Sequence, residues 1–257
     1  MRRPTVFLPM ALAASFLAAV PVAAVLAPET VSGIDEAVTK VLGDTGVPGA
    51  SVALVHGGAI ALAKAYGLGR LDPPTPASPA MRYPVGSISK QFTAVALAML
   101  ATDGRLGLDD RVAKFFPDLT RAGDITLRQL LSHTAGIRDY WPQDYVPAAM
   151  LEPTTPQALI ERWARGPLDF EPGSTYQYGN TGYVVAAAVV EKASGRMLME
   201  LLRARIFGPL GMDTVLDVDQ GRLSDGDAAG YLRYGLGPLR PAPKEGKGWM
   251  LGPGSLP

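Results

Sequence analysis

The stretch Tyr83–Ala94, YPVGSISKQFTA, holds the one Ser-x-x-Lys of the chain, at Ser87 and Lys90. A hydroxyl and an amine three residues apart on a helix share a face and can touch. A serine hydroxyl attacks poorly until a neighbouring base takes its proton, and Lys90 is the nearest candidate. A lysine serves that purpose only where burial and nearby dipoles pull its pKa from about 10.4 toward neutrality. The flanking residues suit such a site. Pro84-Val85-Gly86 reads as an extended lead-in, and Gln91–Thr102 (QFTAVALAMLAT) has no charge, which predicts a helix buried nearly all round. Ser87 then falls in its first turn, where free N–H groups favour an oxyanion and disfavour protonation of Lys90. Taken alone, the same residues also fit a capping serine followed by a solvated lysine.

A second arrangement changes that balance. Tyr178-Gly179-Asn180 contains the only asparagine among 257 residues, and neither Tyr176 nor Tyr183 has an asparagine two positions on. A tyrosine is a core or surface anchor in most loops. Beside a Ser-x-x-Lys it is also a second proton carrier, provided that a neighbouring ammonium lowers its pKa from about 10. The two arrangements together point to a serine hydrolase. A Ser-His-Asp triad fits less well, because no Gly-x-Ser-x-Gly elbow occurs and its nearest approach, Gly49-Ala50-Ser51-Val52-Ala53, reads as a strand. His56 and His133 are the only histidines and there is no cysteine, so neither metal-ligand spacing nor a structural disulfide is available. His133 reads as structural, bonding backbone after a short helix, and His56 as exposed before the Gly57-Gly58 turn.

The segments Tyr83–Ala94, Leu127–Ile137 (LRQLLSHTAGI), Phe170–Val185 (FEPGSTYQYGNTGYVV) and Ile206–Met212 (IFGPLGM) resemble the class C beta-lactamase-related branch of the serine beta-lactamase and penicillin-binding protein superfamily. The resemblance runs from about Ile34 to the end. It implies Ser87 as acylated nucleophile, Lys90 as its base and Tyr178 as the second acid/base group. Asn180 is implied as a substrate-binding residue that bonds Lys90 and the substrate amide. It implies an ester, a D-amino-acid peptide of the peptidoglycan type or a beta-lactam amide as substrate, with no cofactor and no metal. The Tyr-x-Asn form and the stretch Glu161–Arg165 (ERWAR) depart from the class A pattern. Tyr140, Trp141 and Tyr145 fit equally a pocket wall and loop anchors.

The superfamily's third motif, a Lys/His-Thr/Ser-Gly strand that supplies an oxyanion-hole N–H, does not occur; His133-Thr134-Ala135-Gly136 belongs to an earlier segment. Gly248–Pro257 (GWMLGPGSLP) resembles the turn before a further helix, so the chain reads as truncated, with C-terminal sheet strands missing. The alternative function is therefore an impaired fragment, or a binding remnant that keeps the motif without turnover.

Zero net charge and the lack of a basic run interleaved with aromatics argue against a nucleic-acid partner. Arg2-Arg3 and the uncharged run Pro4–Pro28 read as a signal peptide over 1–27, giving a secreted or periplasmic protein; an uncleaved segment would anchor it to a membrane instead.

The expected fold class is α+β, beta-lactamase/transpeptidase-like, an antiparallel sheet flanked by helices with a mostly helical subdomain. Residues 28–257 form the domain: 28–85 a helix and hairpin, 86–215 the helical part, and 216–257 an incomplete return to the sheet. Ser32-Gly33-Ile34-Asp35 resembles a capping box opening the first helix, with Gly43 and Gly46 ending it and Ile34, Val38, Val41 and Leu42 on its apolar face. A hairpin is predicted over 50–55 and 59–66, then a solvated proline-rich loop over 72–79. Helices are expected over 126–132, 155–165, 181–193 and 197–207. This order predicts a helical subdomain packed on a sheet subdomain, with Ser87 at the seam.

Overall fold

A computed structural model describes residues 26–141, 145–219 and 223–256. The proposed signal peptide, apart from Leu26 and Ala27, lies outside these residues. The chain divides between Pro79 and Ala80 into two compact units.

In the first unit, α1 (Pro28–Thr45) starts earlier than the capping-box reading placed it: Ala27 is the N-cap and Pro28 occupies the first turn. Proline is well suited there, since its missing N–H has no intrahelical partner in any case. Ser32 is interior and its hydroxyl bonds Glu36. Gly43 is helical too, and only Gly46, left-handed at φ 71°, ends the element. β1 (Gly49–His56) and β2 (Ala59–Leu71) form the expected antiparallel hairpin around the Gly57-Gly58 turn. The proline-rich loop is not wholly solvated. Within it β3 (Pro74–Pro76) pairs with the end of β2, as prolines can on a sheet edge. Asp35 ties α1 to the sheet by accepting from Lys64 Nζ at 2.6 and 2.7 Å and from Tyr66 Oη at 2.7 Å.

The second unit is mostly helical. A 3₁₀ turn, Gly86–Ile88, runs straight into α2 (Ser89–Thr102), then α3 (Leu127–Leu131), α4 (Pro156–Leu159), α5 (Thr181–Ser194) and α6 (Leu198–Leu202) follow. α4 and α6 each continue into a π-helical turn, over Ile160–Ala164 and Arg203–Phe207. α3 has a full capping box: Thr126 Oγ1 accepts from Gln129 N, and Gln129 Oε1 accepts from Thr126 N. α5 is the central helix. Its valines are poor intrinsic helix formers, but Val184, Val185, Val189 and Val190 are all inaccessible to solvent, so burial outweighs propensity. α2 packs on it, and Leu97 and Leu100 of α2 are buried in the same core, where truncation to alanine costs about 2–5 kcal/mol each. The expectation that α2 is buried nearly all round is corrected: Gln91, Val95 and Ala98 form an exposed stripe. After residue 216 the described strands, β4 (Tyr231–Leu232) and β5 (Arg240–Pro241), pair with each other in a separate ribbon.

Main-chain bonds lace two loops together. Gln177 N donates to His133 O at 3.0 Å, Gly173 N to Thr134 O at 2.8 Å and Asp169 N to Gly136 O at 2.8 Å. Gly136 is left-handed at φ 79°, and a Cβ there would sit 2.2 Å from Phe170 O. Gly136→Ala is expected to cost at least about 2 kcal/mol, a fall of about 4–8 °C in thermal midpoint. Gly195→Ala is the control. It shares the left-handed conformation at φ 71° but has nothing within 4 Å, so only the conformational cost of about 1 kcal/mol remains. Equal losses in the two variants would refute the close approach.

Asp219 is buried, and its Oδ2 accepts from Met250 N at 3.0 Å. Burial pushes its carboxyl up from 3.8 to about 6. The folded chain thus holds this proton more tightly than the unfolded one, and stability from the group is lost as pH rises through about 6. Asp219→Asn is expected to stabilise the chain by up to about 3 kcal/mol at neutral pH and by almost nothing at about pH 4. Thermal unfolding at the two pH values tests this, and a gain that is the same at both would count against it.

Candidate active site

Ser87 lies in the 3₁₀ turn one step before α2, exposed to solvent, while Lys90 in the first turn of α2 is only 5% exposed. The serine oxygen accepts from Lys90 Nζ at 2.9 Å and from Tyr178 Oη at 2.6 Å. Lys90 Nζ also donates to Asn180 Oδ1 at 2.8 Å and to Pro253 O at 3.2 Å. It stands 4.8 Å from the centre of the Tyr178 ring and 5.6 Å from that of Tyr183. The four residues singled out in the sequence, Ser87, Lys90, Tyr178 and Asn180, therefore meet in one hydrogen-bonded cluster, all within the second unit.

Each is held by a local cause. Ser87 and Lys90 come together through helical spacing. Tyr178 is held by the laced loop and by His133, whose ring stacks on it with centroids 4.4 Å apart. Asn180 is the N-cap residue of α5, which points its side chain toward α2.

Burial is the main cause that lowers Lys90 from 10.5 to about 8, with Asp139 pulling the other way. An amine near that value gives up its proton readily near neutral pH. His133 is also lowered, first by burial and then by the charge of Lys90. Its Nδ1 accepts from Gly179 N at 3.2 Å, which requires that nitrogen to be unprotonated. The structural reading of His133 holds, but its partner is the Tyr178 loop rather than the turn that follows α3. His56 is exposed, as expected. Tyr140 is a loop anchor: it is buried and its hydroxyl donates to Trp249 O. Trp141 Nε1 donates to Tyr145 O at 2.8 Å, while the Tyr145 side chain is exposed. Among the described residues no cluster of three metal-ligating side chains is close enough to hold an ion.

Two contributors were not legible beforehand. Asp139 is buried and accepts three hydrogen bonds from Asn180 and Thr181. An acidic residue between Arg138 and Tyr140 has no pattern that marks it. The segment Gly252–Leu256 packs along α2: Thr93 Oγ1 donates to Gly252 O at 2.9 Å and Leu256 N to Ser89 Oγ at 3.1 Å. Its glycines signalled a turn and nothing about what the turn would touch.

Known proteins bear on this arrangement. Residues 34–254 match the Beta-lactamase family. A D-aminopeptidase from Cereibacter sphaeroides is 34% identical over 189 residues, 72% of this chain and 36% of that protein. The chain thus spans about a third of the length of such curated relatives. The D-amino acid amidase from Ochrobactrum anthropi SV3, solved with L-phenylalanine amide, superposes with TM-score 0.76 at 26% identity, covering 87% of this chain and 66% of that one. A D-stereospecific amidohydrolase from Streptomyces sp. gives TM-score 0.75 at 27% identity over 88% and 68%. With a family match across most of its length and these neighbours in structure, the chain has the α+β beta-lactamase/transpeptidase-like fold and belongs to the Beta-lactamase family.

Proposed function

We propose that this chain carries the acylation site of a serine hydrolase that cleaves amides, with Ser87 as nucleophile, Lys90 as its base and Tyr178 as the second proton carrier. The observation that carries the reading is the position of Ser87 Oγ between Lys90 Nζ and Tyr178 Oη, within 2.9 and 2.6 Å. In the proposed step the neutral Lys90 amine takes the hydroxyl proton while Oγ forms a bond to the substrate carbonyl carbon. Tyr178 then gives its proton to the departing nitrogen as the carbon–nitrogen bond breaks. Water reverses these roles to release the acid and free Ser87. In this reading Asn180, bonded to Lys90 at 2.8 Å, also bonds the substrate amide.

The substrate class proposed is a small amide or peptide with a D-configured residue on the acyl side. The names of the relatives support it: a D-aminopeptidase and a D-amino acid amidase. A binding module that is acylated without turnover is the competing reading.

Intact-mass analysis after incubation with a penicillin or D-phenylalanine p-nitroanilide is the test. One acyl adduct is expected on the native chain and none on Ser87→Ala; an adduct that survives Ser87→Ala would overturn the assignment. Lys90→Ala and Tyr178→Phe should each slow acylation by about 10²–10⁴-fold. Labelling without release of product would favour the binding module.

The reactive form of Lys90 is the neutral amine, so the acylation rate should rise with pH and level off, with its midpoint at about 8. Stopped-flow acylation across that range tests this, and a flat profile would exclude Lys90 as the base.

A further inference from the structure

Asp139 is 7% exposed and spends both carboxylate oxygens on the start of α5. Its Oδ1 accepts from Asn180 N at 2.8 Å and from Thr181 N at 3.3 Å, and its Oδ2 accepts from Asn180 Nδ2 at 3.1 Å. A carboxylate only accepts, so it can bond the amide group of Asn180 only through nitrogen. That leaves Asn180 Oδ1 on the other side, where it accepts from Lys90 Nζ at 2.8 Å. With its amide turned over, Asn180 would aim two N–H donors at an ammonium and remove one of its three oxygen acceptors.

We propose that Asp139 is a positioning residue for the Ser87–Lys90 pair: it pins the Asn180 amide in one orientation and thereby holds the Lys90 amine against the serine oxygen. This rests on the role proposed above for Lys90. Asp139 also caps the first turn of α5 through the Asn180 and Thr181 N–H groups, which is the purely structural role that a test has to separate.

Charge provides the separation. Tyr178 from the laced loop, Tyr183 from α5 and His133 from the turn after α3 face Lys90. α2 and the Gly252–Leu256 segment bring no other charged side chain. Asp139 is the carboxylate whose field reaches the ammonium and favours it. Its removal lowers the Lys90 pKa further and frees the Asn180 amide to turn. A lost helix cap would do neither.

The experiment uses the full chain with [ε-¹³C]lysine, the Lys90 signal being identified by its absence in Lys90→Arg. Asp139→Asn is expected to lower the Lys90 titration midpoint by about one pH unit. In the same variant the acid limb of Ser87 acylation should move down with it while the plateau falls about tenfold. Asp139→Glu, which keeps the charge, should leave the limb in place. A Lys90 midpoint unchanged in Asp139→Asn overturns the proposal, whatever happens to the thermal midpoint. The titration needs no turnover, so a native chain that fails to acylate would refute the proposed function and leave this test intact.

A second measurement covers a variant that does not fold. Asn180 is the only asparagine, so ¹⁵N-asparagine labelling of the native chain yields a single side-chain NH₂ pair. Pinned by Asp139, that pair should exchange with water at least about tenfold more slowly than a free amide. Exchange at the free rate would overturn the proposal.

Discussion

Keeping a lysine amine out of water is the constraint around which the second unit is arranged. An isolated ammonium in an apolar interior is so costly that the group sheds its proton instead. At 5% exposure Lys90 is held by three oxygen acceptors, from Ser87, Asn180 and Pro253, and by the faces of Tyr178 and Tyr183. Those partners arrive from the 3₁₀ turn before α2, the loop before α5, α5 itself and the Gly252–Leu256 segment. The balance leaves the amine near 8, poised between its two protonation states, rather than fully suppressed.

Such a site needs rigid neighbours, because small displacements undo hydrogen bonds of this length. Rigidity comes from the packing of α2 on α5 and from the bonds that lace residues 133–136 to residues 169–177. His133 shows the cost of that arrangement. It is a non-glycine residue held at φ 58°, a conformation that strains the backbone, and its ring lies between Tyr178 and Tyr183. In this conformation the imidazole lies against the Tyr178 ring, and its Nδ1 accepts the Gly179 N–H.

Local signals in the sequence located most elements. The Gly57-Gly58 turn is such a short-range device, and it marks the hairpin the structure contains. The departures also have local explanations. Ser32 looked like a cap because its side chain suits one, yet Pro28 had already set a helical φ four residues earlier. Pro74–Pro76 looked like a loop because proline weakens a ladder, but an edge position asks for few N–H donors. α2 looked buried on every side because residues 91–102 are uncharged, and exposure of Val95 and Ala98 beside Gln91 costs too little to demand a charged face.

The chemical inventory was legible in the sequence by itself: one Ser-x-x-Lys, one Tyr-x-Asn and the apolar helices that carry them. Spacing along a single helix determines that Ser87 and Lys90 meet, since three residues is nearly one turn. Only the tertiary structure decided the rest. Residues about ninety positions apart, Ser87 with Tyr178 and Lys90 with Asn180, meet because α2 and α5 bury their faces against each other. The same packing brings Asp139 beneath Asn180 and the Pro253 carbonyl to Lys90. A buried carboxylate or a main-chain carbonyl acquires its role from whatever lies opposite, and no pattern along one chain encodes that.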